Sequence, residues 1–542
     1  MEILLRYSYS NNRMLLTYLL LLSQTSTPNL EIFGQVDGAE FGRSAANAAD
    51  INQDGVDDII IGAPLTTING MTESGAVYLH SGADGSLIRQ WYGLAAADYF
   101  GTSVSGAGDL NGDNIPDILI SANGASPNNT TAGGSVYAYS GADGSLIHQW
   151  DGTYDNSSYG GTLAGGEDVN ADGVPDVIIS AANADPNGIL DAGEAFIYSG
   201  ATGSLIYYWH GVNTVEALGR GSSFVGDIDN DGTVDFAISA SGGANNYGQV
   251  TVYSGNGGAQ LLQLTGPYYG GDFGHSVAGL GDINADGYDD IVVGAPRESA
   301  NGLNWTGAVY AFSGADGSQL FMWEGTGRYN LLGKCVSSAG DFNQDGVPDI
   351  LIGQGGHDSN GHGQSGAAFV YSGTDGLLIQ QINGRDTLDW LGRNACHMGD
   401  LDSDGYTDIL LTIQGDDVNG LTDNGSVGLY SNRTTLPLYE ILGAVAPYYL
   451  EAGDYADFTV TGCPPFAPVI IGYSLRGAGP LSTAFGIVDL TPPVQVLAVM
   501  SADSMGIAVF NQYVPGNASG VTLYSQCKVG NVLSTSVAAY IN

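Results

Sequence analysis

The chain has 542 residues, enough for several domains and a large core, and its 84 glycines and 18 prolines make it rich in turns. Its 57 Asp and Glu against 13 Lys and Arg give a formal charge of -44, which repels nucleic-acid phosphates and the anionic face of a membrane and argues against nucleic acid as a partner. Hydrophobic residues at 43% and aromatics at 10% argue against a disordered acidic chain and for a packed all-β protein.

Arg6 and Arg13 precede the apolar run MLLTYLLLL (Met14 to Leu22) and the polar SQTSTPN, so residues 1–26 read as a secretory signal peptide. The other readings of the run are a buried element or a longer anchor. No later stretch reaches 18 apolar residues. The expectation is a secreted or cell-surface protein with no stable membrane span in the mature chain.

A nine-residue acidic pattern then recurs seven times, beginning at Asp50, Asp109, Asp168, Asp227, Asp282, Asp341 and Asp400, with start-to-start spacings of 59, 59, 59, 55, 59 and 59 residues. Near-constant spacing of this kind marks a repeat architecture. In each unit a glycine-containing strand leads into the acidic pattern. A wholly apolar run follows, such as IIIGAP after Asp58, and reads as a strand buried on both faces. A variable Gly/Asn/Ser-rich loop comes next, and then a hairpin whose turn is SGADGS at Ser81, Ser140 and Ser313. Four short strands per unit, repeated seven times, predict a seven-bladed β-propeller over residues 27–442. Ring closure calls for a strand borrowed from the far end of the chain. The preferred candidate is NLEIFG (Asn29 to Gly34), the alternative LYEILG (Leu438 to Gly443).

The pairs Phe41-Gly42, Phe100-Gly101 and Phe273-Gly274 near unit starts, and GAP at Gly62 to Pro64 and Gly294 to Pro296, resemble the FG-GAP repeats of the integrin α-subunit propeller. Five units carry SAN, SAA, SAS, GQG or TIQ in place of GAP. The resemblance implies that the acidic loop joins the first and second strands of a blade, that ligands approach the opposite face, and that the protein serves adhesion.

Each acidic loop offers side-chain oxygens at positions 1, 3, 5 and 9 and a main-chain carbonyl at position 7. The candidate metal ligands are Asp50, Asn52, Asp54, Val56 and Asp58; Asp109, Asn111, Asp113, Ile115 and Asp117; Asp168, Asn170, Asp172, Val174 and Asp176; Asp227, Asp229, Asp231, Thr233 and Asp235; Asp282, Asn284, Asp286, Tyr288 and Asp290; Asp341, Asn343, Asp345, Val347 and Asp349; and Asp400, Asp402, Asp404, Tyr406 and Asp408. Oxygen-only ligands in a flexible array favour Ca2+, up to seven ions, structural rather than catalytic. Position 6 is Gly in six loops and Asn114 in the other, as a turn with positive φ requires. An EF-hand is excluded because position 12 is apolar in every copy, from Ile61 to Leu411, where that motif needs a bidentate Glu. The competing reading is a set of acidic turns without metal.

No catalytic motif surrounds any of the seven histidines. His357, Asp358 and His362 form either a transition-metal cluster or a plain polar loop. Trp91, Trp150, Trp209 and Trp323 recur at one strand position and read as blade packing in preference to sugar platforms. Cys335 and Cys396 are buried thiols or an inter-blade bridge. From residue 443 to 542 the repeat stops, and a small β-sandwich with a Cys463–Cys527 disulfide is expected. The leading function is a non-enzymatic calcium-binding protein for an extracellular protein or glycan ligand. A lectin-like polysaccharide-targeting module is the alternative, and a hydrolase the third.

Overall fold

The computed structural model of the chain describes residues 28–432, except 301, 359–361, 403–404 and 418–420, together with strand backbones within 8–15 and 455–540. Two compact units divide it, Met1–Asn432 and Arg433–Asn542.

The first unit holds seven four-stranded antiparallel sheets arranged as propeller blades. Blade one is built from Ser44–Asn47, Ile59–Ala63, Ala76–His80 and Leu87–Tyr92, hydrogen-bonded in chain order. Blades two to six repeat this plan, and first strands of neighbouring blades touch around the ring, the seventh blade's against the first blade's. First strands are therefore innermost and fourth strands outermost. The second strands show why their sequences are apolar throughout. In blade one, Ile59 and Ile61 pack with Met398, Leu410 and Val427 of blade seven, while Ile60 packs with Ile118 and Ile120 of blade two. Alternate side chains fill the spaces on either side of the blade, so neither face has a polar option. Each such isoleucine contributes about 2–3 kcal/mol of burial.

The seventh blade has three strands of its own, Ala395–Gly399, Asp408–Ile413 and Ser426–Ser431, and takes its fourth, Leu30–Phe33, from the N-terminal side. The register runs from Leu30 opposite Leu429 to Phe33 opposite Ser426. Asn424 Nδ2 donates to the Gly34 carbonyl at 2.7 Å, and Arg385 pairs with Glu31 on the borrowed strand and with Asp416 at 3.1 Å. The preferred closing segment is thus the one used; the alternative at Leu438 to Gly443 lies outside the described residues.

Two short strands, Ser8–Ser10 and Arg13–Leu15, pair antiparallel within the segment read as a signal, whose remainder lies outside the described residues. In the second unit, Pro468–Ser474 pairs with Gln495–Ser501 on one side and with Thr522–Val529 on the other, and Tyr455–Val460 pairs with Ala508–Tyr513. The sandwich reading rests on these strand pairings alone. The expected Cys463–Cys527 bridge falls outside the described side chains.

Candidate metal centres

The seven acidic loops all join the first strand of a blade to the second and share one hydrogen-bond pattern. In the first, Asp50 Oδ1 accepts from the Asp54 N–H at 3.0 Å and Oδ2 from Gly55 at 2.8 Å. Asn52 Oδ1 accepts from Asp54 at 2.8 Å, and Asp54 Oδ1 from Val56 at 3.0 Å. The first-position carboxylate takes the position 6 N–H again at Asp109, Asp168, Asp227, Asp282, Asp341 and Asp400. These bonds wind the chain tightly and need a left-handed residue at position 6. Gly55, Gly173, Gly232, Gly287, Gly346 and Gly405 have φ of 88–91° there, and Asn114 has 65°. The glycine expectation therefore holds, including its exception.

The ninth-position Asp is fully buried in every copy. Asp58 Oδ2 accepts from the Ile51 N–H at 3.0 Å, and its Oδ1 from Gly82 at 3.4 Å, in the turn between the third and fourth strands. The same cross-link ties Asp117 to Gly141, Asp176 to Gly200, Asp235 to Gly255, Asp290 to Gly314 and Asp349 to Gly373. Burial pushes the carboxyls of Asp58, Asp117, Asp176, Asp235 and Asp290 up to about 6 and that of Asp349 to about 7; backbone donors oppose the rise, and neighbouring loop carboxylates add to it. Position 9 is thus a fold residue first, holding two loops of one blade together.

The loops differ at position 3. In four of the five loops where it is Asn, its amide turns toward neighbouring carboxylates: Asn52 Nδ2 lies 2.9 Å from Asp54 Oδ2 and 3.3 Å from Asp58 Oδ1, Asn343 repeats this with Asp345 and Asp349, and Asn170 and Asn284 reach Asp176 and Asp290. Where it is Asp there is no donor to offer. Asp227, Asp229 and Asp231 bring carboxylate oxygens within 4.8 Å of one another, and so do Asp400, Asp402 and Asp408. Burial together with Asp231 and Asp227 raises Asp229 above the ordinary range. Asp404 lies outside the described residues. At position 7 the side chains of Val56, Ile115, Val174 and Val347 pack into the cores between blades, leaving the main chain as the one source of oxygen there.

Sequence reasoning overlooked three repeated features. Position 2 is a buried apolar anchor in every loop, from Ile51 to Leu401. Position 4 also has positive φ, at Gln53, Ala171, Asn230, Ala285 and Gln344 as well as Gly112. The Phe-Gly pair has equivalents at Tyr159-Gly160, Leu218-Gly219, Leu332-Gly333 and Leu391-Gly392, each glycine having φ of 81–86°. The 59-residue spacing contained that last signal.

The other candidates resolve as packing or stay apart. Trp91, Trp150 and Trp323 are buried, and each indole N–H donates to a carbonyl of the next blade, Gly144, Gly203 and Gly376. Trp209 packs against Tyr253 with ring centroids 4.7 Å apart and the planes tilted by 40°. His357 bonds Asn330, whereas Asp358 accepts from the Gln364 N–H, and among the described residues His357, Asp358 and His362 form no metal-sized group, which leaves the polar-loop reading. Cys335 and Cys396 are free thiols that burial pushes up to about 11 and about 12.

At the other end of the blades lie the loops joining second to third and fourth to first strands. They line a cleft of about 530 Å³ that includes Arg43, Tyr99, Thr102 and Asn123, and one of about 320 Å³ that includes Arg220, Asp272 and Arg297. Exposed aromatics pair there: Trp305 with Tyr329 at 5.7 Å and Tyr247 with Tyr269 at 6.0 Å.

The FG-GAP repeat family matches residues 41–80, 100–139, 273–312 and 336–371, parts of blades one, two, five and six. Integrin alpha-5 of Xenopus laevis is 30% identical over 208 residues, covering 36% of this chain and 19% of its own. Integrin alpha-2 of Bos taurus is 40% identical over 98 residues, 16% of this chain and 8% of its own. The chain therefore spans about a fifth or less of the length of these relatives. A solved Dos1 propeller aligns at a TM-score of 0.40 and 14% identity, over 75% of this chain and 78% of that one. The chain carries FG-GAP repeats and is similar to integrin α-subunits over these stretches.

Proposed function

We propose that the chain is a calcium-stabilised, non-enzymatic propeller that binds an extracellular protein or glycan on the loop face opposite its acidic loops. The observation that carries this reading is the contrast between its two ends. The acidic loops recur with one geometry and spend their polar groups on closing their own hairpins, as a scaffold does. The opposite loops differ in every blade and display paired aromatics beside open clefts, the arrangement of a binding surface. Similarity to integrin α-subunits points the same way, toward adhesion at a cell surface or in the surrounding matrix. Secretion rests on the N-terminal charged and apolar pattern.

Calcium is assigned to the loops on their oxygen chemistry, and the residues fit it. Two carboxylates about 4 Å apart repel by about 4 kcal/mol at an effective dielectric near 20. Loops four and seven put a carboxylate, Asp229 or Asp402, where the other loops have an amide; Asn29 Nδ2 reaches Asp402 at 3.1 Å, but three carboxylates still crowd each loop, so a divalent cation suits them best. In the remaining loops the Asn side chain turns its oxygen inward when the ion binds. Scanning calorimetry of the full chain in 1 mM calcium and then in excess EGTA tests the assignment, on the order of a 5 °C or larger fall in melting temperature being expected. Equal melting in the two conditions would show the loops to be metal-free turns.

The exposed Trp305–Tyr329 pair also favours a lectin-like variant of this reading, since such pairs stack on sugar rings. Glycan-array binding that disappears in Trp305→Ala would select it.

A further inference from the structure

The residue after each glycine that opens an innermost strand lies at the end of the central channel away from the acidic loops. In four blades it is a cation, Arg43, Arg220, Lys334 or Arg393, and in blade five it is His275. Innermost strands touch all round the ring, so these positions, 55 to 350 residues apart in sequence, come to one end of it. Four of the chain's 13 basic residues thus gather at one opening of a protein whose formal charge is -44.

The cluster is built, and its charge is not balanced internally. Lys334 Nζ donates to His275 Nε2 at 2.9 Å, and His275 Nδ1 faces Asp272 Oδ2 at 3.1 Å. Asp272 also receives Arg297 at 3.7 Å, so the one carboxylate in this relay is already engaged. Burial and then Arg220, Arg393 and Arg43 lower the Lys334 amine to about 8, against the single opposing pull of Asp272. Burial, with Lys334 and Arg220, brings His275 to about 4 and leaves it neutral. Arg43 pairs with Glu40 at 3.3 Å, and Arg393 lies over Trp390 at 4.0 Å. The Arg220 guanidinium is exposed and has no hydrogen bond or ion pair among the described residues.

We propose that this channel mouth binds one carboxylate, an Asp or Glu side chain or a C-terminus, presented by a protein ligand on the loop face. Arg220 lines one cleft with Asp272 and Arg297, and Asp272 leads through His275 to Lys334, so the cations of this cleft form a compact group and not a row, which suits one anionic group. Arg220 is free to grip it through two parallel N–H bonds, while Lys334 supplies a point charge behind. A sulfated polysaccharide or other polyanion would have to lie across the rest of a strongly acidic surface, whereas a lone carboxylate on an otherwise neutral partner meets no such repulsion. The inference rests on reading this end as the ligand face, and it names the chemistry recognised there.

Isothermal titration of the full chain at low ionic strength, with the blocked amino acids Ac-Glu-NH2 and Ac-Gln-NH2 and with heparin, tests it. Ac-Glu-NH2 is expected to bind saturably and at least tenfold more tightly than Ac-Gln-NH2. Arg220→Gln should weaken it tenfold or more, and so should Lys334→Met, which keeps the buried stem. Equal binding of the two blocked amino acids, or unchanged binding in Arg220→Gln, would overturn the proposal. Heparin binding through Arg220 and Lys334 without Ac-Glu-NH2 binding would overturn it in favour of a polyanion. A display-selected peptide that ignores Arg220→Gln but is lost in Trp305→Ala would leave the ligand face standing while removing the carboxylate site from it.

Discussion

The two ends of each blade are made of the same strands and have diverged in opposite ways. At the acidic end the polar groups of seven loops occupy equivalent places, and the ninth-position Asp of six of them is seen to bond a backbone N–H 20 to 24 residues on. At the opposite end the position after the strand-opening glycine is Arg, Thr, Gly, Arg, His, Lys and Arg in turn. Uniformity marks groups the fold itself uses, since loss of any one leaves buried donors without partners. Variety marks groups that the fold does not need, which are the ones free to meet a ligand. The ends can be separated by substitution.

The largest effect is expected at the acidic end. Asp290→Ala removes the acceptor of the Ile283 N–H at 2.9 Å and the Gly314 N–H at 3.1 Å, both in a fully buried setting. Two orphaned buried donors at about 1–3 kcal/mol each give an expected loss of about 3 kcal/mol, read by urea denaturation. The loss should persist in EGTA, because the bonds are internal to the blade. A variant as stable as the parent in chelator would mean that the ninth carboxylate serves the ion alone, and the comparison would fail.

The acidic end was also the more legible in sequence. The loop spacing, the glycine at position 6 and the wholly apolar second strand each name a residue type with one physical use, and the blades follow that reading. The left-handed residues at position 4 escaped because Gln53, Ala171 and Ala285 have no shared chemistry; side-chain bonds from positions 1 and 3 force the conformation on whatever stands there. The Phe-Gly equivalents escaped because a buried apolar residue before glycine serves as Leu or Tyr equally well. The basic mouth was hidden most completely. Arg43 and Lys334 become neighbours only when the ring closes, and closure depends on Leu30–Phe33 meeting the last blade.

A smaller effect tests the loop end, where one buried group does belong to the fold. Glu298, in the loop between the second and third strands of blade five, is 2% exposed and accepts the Tyr310 hydroxyl proton at 2.7 Å. Burial pushes its carboxyl up to about 7, with Glu324 adding to the rise and the Tyr310 bond opposing it. Because the folded value lies above the unfolded one, the neutral acid favours the fold. That contribution is complete below about pH 4.5 and is lost as pH climbs to about 7, on the order of 3 kcal/mol. Glu298→Gln should flatten this part of the pH–stability curve in that window, while leaving the response to calcium intact. An unchanged curve would mean that water reaches Glu298 and that the loop end is uniformly solvated.

The smallest expected effect is the most informative for function. Tyr269 is 72% exposed, and Arg220 carries an exposed, unpartnered guanidinium. Neither fills a core nor satisfies a buried group, so Tyr269→Ala and Arg220→Gln should each change stability by no more than about 0.5 kcal/mol in urea titrations. Removing a cation from a crowded cluster relieves repulsion, so any shift in Arg220→Gln should be toward greater stability. A loss of about 2 kcal/mol in either variant would place that residue in the scaffold and erase the division between the two ends. Near-zero values would leave the exposed aromatic and the channel cation without a structural purpose, which is the condition a binding surface has to meet.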